Sequence, residues 1–298
     1  MVQLGLIEDD TEHIMTRLGI TNLPRLRHLT YNYPVGLSTF SIPRLSRVEG
    51  WGSVLRAESC SLSNLTHVQF CLSEQEGDLE DLATTLHGMK NLQDLFLEVE
   101  SCTLADDVSP PPVYAFKPRS VHIDRLAISI IGRMQDYPAL FFDALMHLRP
   151  SKVEISIYST EPERFLVNSK KEFFPYASTV KLQTPHAIDV MRTLMDLVRN
   201  CDIVKTVHFD TPMANGLWRQ RQLYNGDWEQ LRSLDHLRFT YCDDFEDSDL
   251  EGFTTKLLHT SAESGIQSLE ISSCKMSSED FLLGLHDEVG DRLKWTWL

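Results

Sequence analysis

Leu234-Asp235-His236-Leu237-Arg238-Phe239-Thr240-Tyr241-Cys242 and, 32 residues further on, Ile266-Gln267-Ser268-Leu269-Glu270-Ile271-Ser272-Ser273-Cys274 share one pattern. An apolar residue is followed after two positions by a second, after one more by a third, and after two more by a cysteine. Alternate residues of a β-strand face the same side. Leu237 and Phe239 therefore point to a core and Arg238 and Thr240 away from it, while Leu234 covers the turn that leads into the strand.

The triplet recurs along the chain. Clear copies are Leu26-x-x-Leu29-x-Tyr31, Leu65-x-x-Val68-x-Phe70, Leu92-x-x-Leu95-x-Leu97, Ile123-x-x-Leu126-x-Ile128 and Val204-x-x-Val207-x-Phe209. Weaker copies centre on Val48, Val153, Val180 and Leu293. The centres fall at 29, 48, 68, 95, 126, 153, 180, 207, 237, 269 and 293, with three consecutive intervals of 27 residues. A fixed period of this length marks a repeat architecture. About 20 residues follow each short strand, room for a return segment, so consecutive strands are predicted to lie parallel.

Several return segments read as helices. Residues 78–89 place Leu79, Leu82, Ala83 and Leu86 on one face, and residues 186–199 do the same with Ile188, Met191, Leu194, Met195 and Val198. Ser248-x-x-Glu251 and Ser277-x-x-Asp280 read as capping boxes. Pro138 suits the first turn of a helix over 139–148. The expected fold class is α/β, with one domain over 23–298 preceded by a capping segment, 1–22.

The copies ending in Cys242 and Cys274 carry a resemblance to leucine-rich-repeat proteins, whose repeats close on Asn or Cys at this position. Elsewhere the position holds Pro34, Ser73, Glu100, Tyr158, Pro185 and Pro212, so the ladder reads as broken. The irregular spacing is most similar to the repeat region of F-box leucine-rich-repeat proteins of the divergent fungal kind. The resemblance implies a horseshoe solenoid with short parallel strands on its concave face and helices on its convex face. It also implies a protein-interaction scaffold, the substrate-recognition part of an F-box-type ubiquitin ligase, with ligase components among its partners. Residues 1–22 are shorter than the F-box module of that family.

The chain of 298 residues has 41 Leu and a formal net charge of −15. Nucleic acid and anionic membrane surfaces both need clustered positive charge, so neither is the expected partner. No basic segment precedes a long apolar run near the start, and no stretch approaches the ~20 apolar residues of a span; the expected location is cytoplasm or nucleus. The six cysteines form no CxxC pair and read as reduced, buried thiols. No HExxH, phosphate-binding glycine loop or GxSxG elbow occurs. No cofactor, metal or catalytic residue is assigned.

Solenoids of this kind bind proteins across the exposed strand face. The candidate positions there are Phe96, Glu98, Ser129, Glu154, Ser156, Lys181, Gln183, His208, Asp210, Arg238, Thr240, Glu270 and Ser272. Two segments interrupt the pattern. Residues 104–120 are rich in proline and read as an extended loop. Residues 212–230 hold Trp218, Arg219, Arg221, Tyr224 and Trp228, the composition of an interface hot spot at a rim, or of a short helix tucking its rings into the core. A hydrolase or lyase with a non-motif site on the same surface is the competing reading. It calls for a deep pocket with close carboxylates or a His–carboxylate pair.

Overall fold

A computed structural model describes residues 2–6, 10–33, 40–52, 54–55, 60–73, 79–101, 120–132, 141–142, 144–159, 176–213, 225–243, 245–258, 265–274 and 278–296. Contacts divide the chain into two compact units, Met1–Pro150 and Ser151–Leu298.

The first unit contains strands β1 (Val2–Leu6), β2 (Leu26–Tyr31), β3 (Arg47–Trp51), β4 (His67–Ser73), β5 (Asp94–Glu100) and β6 (Val121–Ile131), with helices α1 (Asp10–Arg17) and α2 (Leu79–Gly88). Each strand pairs in parallel with the next in sequence. The second unit contains β7 (Leu148–Tyr158, beginning at the boundary), β8 (Thr179–Gln183), β9 (Thr206–Asp210), β10 (His236–Thr240), β11 (Ser268–Ser272) and β12 (Leu293–Thr296). Helices α3 (Val190–Asn200), α4 (Asn225–Leu231), α5 (Asp247–Phe253) and α6 (Glu279–Val289) lie between these strands in sequence. The pairing here is again parallel and sequential. The α/β class and the parallel sheet are as the sequence predicts.

The centres of the sequence triplets are the register. Leu29, Val48, Val68, Leu95 and Leu126 are successive partners in the first unit. Val153, Val180, Val207, Leu237, Leu269 and Leu293 are successive partners in the second. All of these residues are 3% exposed or less.

Two backbone devices repeat with the strands. First, the amide three residues before a centre donates to the carbonyl three residues earlier, as in Leu26→Leu23, Leu45→Ile42, Leu65→Leu62, Val204→Cys201 and Leu234→Leu231 at 3.1–3.2 Å. In these copies the turn carries a buried apolar residue into the strand. Second, the carbonyl two residues before a centre accepts two successive amides of the next repeat. Ser46, Thr66 and Gln93 do so in the first unit, and Ser178, Lys205 and Asp235 in the second. The paired stretches of β4, β5, β6, β9, β10 and β11 are thereby tied to their neighbours before the ladder begins.

The far ends of the strands differ from the expected broken ladder. Where Pro185 and Pro212 occupy the Asn/Cys position, the buried slot is filled one residue earlier, by Thr184 and Thr211, both 0% exposed. Thr211 Oγ1 lies 3.4 Å from Cys242 Sγ. The neighbouring Cys274 and burial push the Cys242 thiol up, and each of the two thiols donates to the carbonyl two residues earlier, Thr240 and Ser272. In the two Cys copies the extra residue, Tyr241 or Ser273, adopts a left-handed conformation (φ 57° and 58°). In the Thr copies that residue is missing and the hydroxyl replaces the thiol.

The helices follow the sequence reading with shifted ends. In α3, Met191, Leu194, Met195 and Val198 are buried as predicted. It is capped by Asp189, whose Oδ1 accepts the Arg192 amide at 2.8 Å. The cap of α6 is Ser278, not Ser277, with the Phe281 amide donating to its Oγ at 3.2 Å. The helix α5 opens at Asp247, so Ser248 lies inside it rather than capping it. The predicted helix over 139–148 is partly described, with helical residues at 141–142 and 144–145. The proline-rich segment falls outside the described residues apart from Ser120. The capping segment 1–22 carries β1 and α1, which its sequence did not announce.

The core of the second unit centres on Phe239, which stacks on Phe209 at 5.8 Å and meets Phe245 and Phe253 at 4.8 and 5.5 Å between ring centroids. Truncating a buried Phe leaves a cavity that costs about 3–5 kcal/mol. Phe239→Ala is expected to lower the unfolding free energy by about that amount in urea titrations. Asp189→Ala, which removes a single cap, is expected to cost about 1 kcal/mol.

Candidate functional site

Because each strand repeats in register, every outward position becomes part of a row across the sheet. In the second unit the residue after each centre forms the row Glu154–Lys181–His208–Arg238–Glu270–Lys294. The next outward row is Ser156–Gln183–Asp210–Thr240–Ser272, continued by Thr296. A third, preceding the centres, is Lys152–Thr179–Thr206–His236–Ser268. All ten candidates of this unit fall into the first two rows. Lys294, Thr296 and the whole third row escaped the sequence reading, although they have the same spacing from a centre.

Most of these side chains are half-buried and Arg238 is exposed, whereas Thr240 and Ser272 are 8% and 3% exposed. Both are therefore corrected from surface to largely covered positions. They are short and their neighbours reach over them. The His208 ring, through Nε2, lies 2.9 Å from Thr240 Oγ1, and Thr296 Oγ1 donates to Ser272 Oγ at 3.0 Å.

The charges along the rows are partly committed. Lys152 pairs with Glu154 at 2.6 Å and Arg238 with Glu270 at 3.7 Å. Lys181 makes no ion pair among the described residues. Between Lys181 and Arg238 stands His208. Burial first, and then these two cations, push its imidazole down to about 4, so it is neutral at physiological pH. Burial also raises the Asp210 carboxyl, against the pull of Lys181 and Arg238. His208 and Asp210, neighbours on one strand face, both feel Lys181 and Arg238. The ring nitrogen in contact with a neighbour faces a threonine hydroxyl.

The outward rows of the first unit are different in character. One runs His28–Arg47–His67–Asp94–Arg125 and the next Thr30–Glu49–Gln69–Phe96–Ala127. Arg47, His67, Gln69, Asp94, Phe96 and Arg125 enclose a pocket of about 270 Å³. Its one carboxylate, Asp94, pairs with Arg125 at 3.7 Å, and Arg47 pairs with Glu49 at 2.8 Å. Phe96, expected as an exposed ring, is half-buried along this pocket. Ala127, beside it in register, is covered. Ser129, opposite Glu98, is 8% exposed and is likewise corrected to a covered position. Beyond them Trp51 is 46% exposed next to Cys71, whose thiol burial pushes up to about 11.

Of the rim-loop candidates, Trp218, Arg219, Arg221 and Tyr224 lie outside the described residues. Trp228 sits in α4 and is 6% exposed, so it is a core residue and not a surface anchor. The helix holding it is tied down by Asp227, whose Oδ1 accepts from Arg199 of α3 at 2.6 Å. Among the described residues there is no group of three or more His, Cys, Asp or Glu placed to hold a metal ion, and no helix is long and apolar enough to cross a membrane.

No family model and no curated protein matches this chain.

A histidine whose folded pKa lies below its unfolded value of about 6.5 leaves the folded state with fewer protons than the unfolded one. His208 therefore costs stability as pH falls from about 6.5 towards its folded value of about 4. Removing a flanking cation should raise that value. NMR titration of the imidazole is expected to show the His208 pKa moving up in Lys181→Gln, with a smaller acid-induced loss of stability over the same window.

Proposed function

We propose that the chain is a leucine-rich-repeat-like solenoid acting as a protein–protein interaction scaffold, its strands on the concave face and its helices on the convex one. The observation that supports this reading is the registration of outward side chains into continuous mixed-charge rows. Such a surface is extended, polar and set by the backbone, as a protein-binding face of a repeat protein is. A net charge of −15 favours protein over nucleic acid as the partner. Cytoplasm or nucleus is the compartment that accompanies this reading.

The further step, to the substrate-recognition part of an F-box-type ubiquitin ligase, is carried by the sequence resemblance of the Cys242 and Cys274 repeats. The hydrolase or lyase alternative requires two close carboxylates or a His–carboxylate pair in a deep pocket. The 270 Å³ pocket of the first unit does bring His67 and Asp94 together as register partners, but Asp94 pairs with Arg125 at 3.7 Å and His67 Nδ1 lies 2.9 Å from the Thr66 hydroxyl, so each is engaged elsewhere.

Affinity capture from native cell extract tests the scaffold. Phe96→Asp alters the outward rows of the first unit and Lys181→Glu those of the second; both positions are half-buried and outward, so folded variants are expected. At least one variant is expected to lose partners that the parent chain retains, with the circular dichroism spectrum unchanged. An identical partner set from all three proteins would overturn the reading.

A further inference from the structure

The centre of the second unit's outward face has the makings of an anion site. Adjacent strands lie about 4.8 Å apart, so Lys181 and Arg238, two strands apart, stand about 10 Å from each other at their backbones with His208 between them. Both cations have long stems that can converge over the shorter imidazole. Lys181 has no ion-pair partner among the described residues, and Arg238 holds Glu270 at only 3.7 Å. His208 Nε2 is taken up by the Thr240 hydroxyl at 2.9 Å. When that hydroxyl donates, the ring proton resides on Nδ1, which has no hydrogen-bond partner among the described residues. Three groups of positive or polar character thus stand side by side in one row on adjacent strands.

We propose that Lys181, His208 and Arg238 form a cradle for a single carboxylate, and that the partner seated on this face presents an acidic peptide segment to it. The inference rests on the scaffold reading and names the chemistry of its partner. A carboxylate fits better than a phosphate because the surroundings limit the negative charge that can enter. The groups that face His208 are Lys152 and Glu154 of β7, Lys181 of β8, Asp210 of its own strand, Arg238 of β10 and Glu270 beyond it. Three of these are carboxylates, so a dianion would meet about twice the repulsion that one negative charge does. The cradle acts locally. The overall negative charge of the chain is screened beyond about 8 Å at physiological salt, whereas charge-assisted hydrogen bonds at contact distance are not.

The test uses the full chain at physiological salt and three short peptides as probes: Gly-Ser-Glu-Glu-Ser-Gly, the same peptide with Gln-Gln, and the same with two phosphoserines. NMR follows the His208 imidazole and the amides of β8, β9 and β10. The Glu-Glu peptide is expected to shift these signals and to raise the His208 pKa above its value of about 4, because a bound anion offsets the two cations. It is expected to bind more tightly as pH falls from about 6 to about 5, towards the free-state value of about 4 and while the peptide carboxylates remain largely ionised. Lys181→Glu should weaken it about tenfold, the cost of one charge-assisted contact. His208→Gln should remove the pH dependence while leaving measurable binding. Lys90→Glu, at an exposed position outside the strands, should change nothing.

The proposal is overturned if the Glu-Glu peptide fails to bind, if it binds no better than Gln-Gln, if Lys181→Glu leaves it unaffected, or if only the phosphoserine peptide binds. These outcomes are separable from a failure of the scaffold reading. A Lys181→Glu chain that loses its captured partners while the parent ignores the Glu-Glu peptide keeps the scaffold and rejects the acidic ligand. A cradle that binds the peptide in a chain whose captured partners never change keeps the anion site and rejects the scaffold.

Discussion

The constraint on which this structure depends is parallel register. From β2 to β6 and from β7 to β12 each strand pairs with the next in sequence, and the pairing places one inward residue against the next without a slip; β1 joins β2 with a register shift between Val2 and Gln3. A one-residue slip would turn every inward side chain outward, exposing Val207, Phe209, Leu237 and Phe239, which are now wholly buried. The paired amides that converge on a single carbonyl at the starts of the paired stretches of β4, β5, β6, β9, β10 and β11 help hold that register independently of the side chains. Both the core and the outer surface follow from it. The residues that alternate with the core cannot choose their neighbours; they meet whatever stands at the same position of the adjacent repeat.

This explains why an acidic chain can present a locally balanced face. Lys181 and Arg238 are 57 residues apart in sequence but flank the same histidine, because their strands share it as a partner. The depressed His208 pKa is the electrostatic trace of that placement, arising from burial and from these two cations. The same register brings Arg47, His67, Asp94 and Arg125 into one line in the first unit, where with Gln69 and Phe96 they line a pocket. The two faces thus differ in side chains and not in backbone plan.

Much of this was legible in the sequence because it is periodic. The triplet centres, weak copies at Val48, Val153, Val180 and Leu293 included, are the register partners, and counting one and three residues past each centre located ten candidates that form two rows. What was not legible has local causes. Burial of Ser129, Thr240 and Ser272 depends on how far a neighbour's side chain reaches, which spacing does not reveal. The ladder at the strand ends seemed broken because Thr184 and Thr211 sit one residue early, replacing a left-handed residue plus cysteine by a single hydroxyl-bearing one. Trp228 looked like an interface anchor by composition, but the helix around it turns the ring inward. The segment β1 has no triplet at all and joins the sheet through Leu4, opposite Leu29.

The central claim is that the outward rows of the strands are the surface that meets a protein partner. Lysine-reactive labelling read by mass spectrometry, with and without a captured partner, tests it most directly. Lys152, Lys181 and Lys294 stand in the outward rows, while Lys90, Lys205 and Lys256 are exposed outside the strands. The account predicts that partner binding shields the first three and leaves the second three as reactive as before. Shielding of Lys90, Lys205 and Lys256 with unchanged Lys152, Lys181 and Lys294 would contradict it.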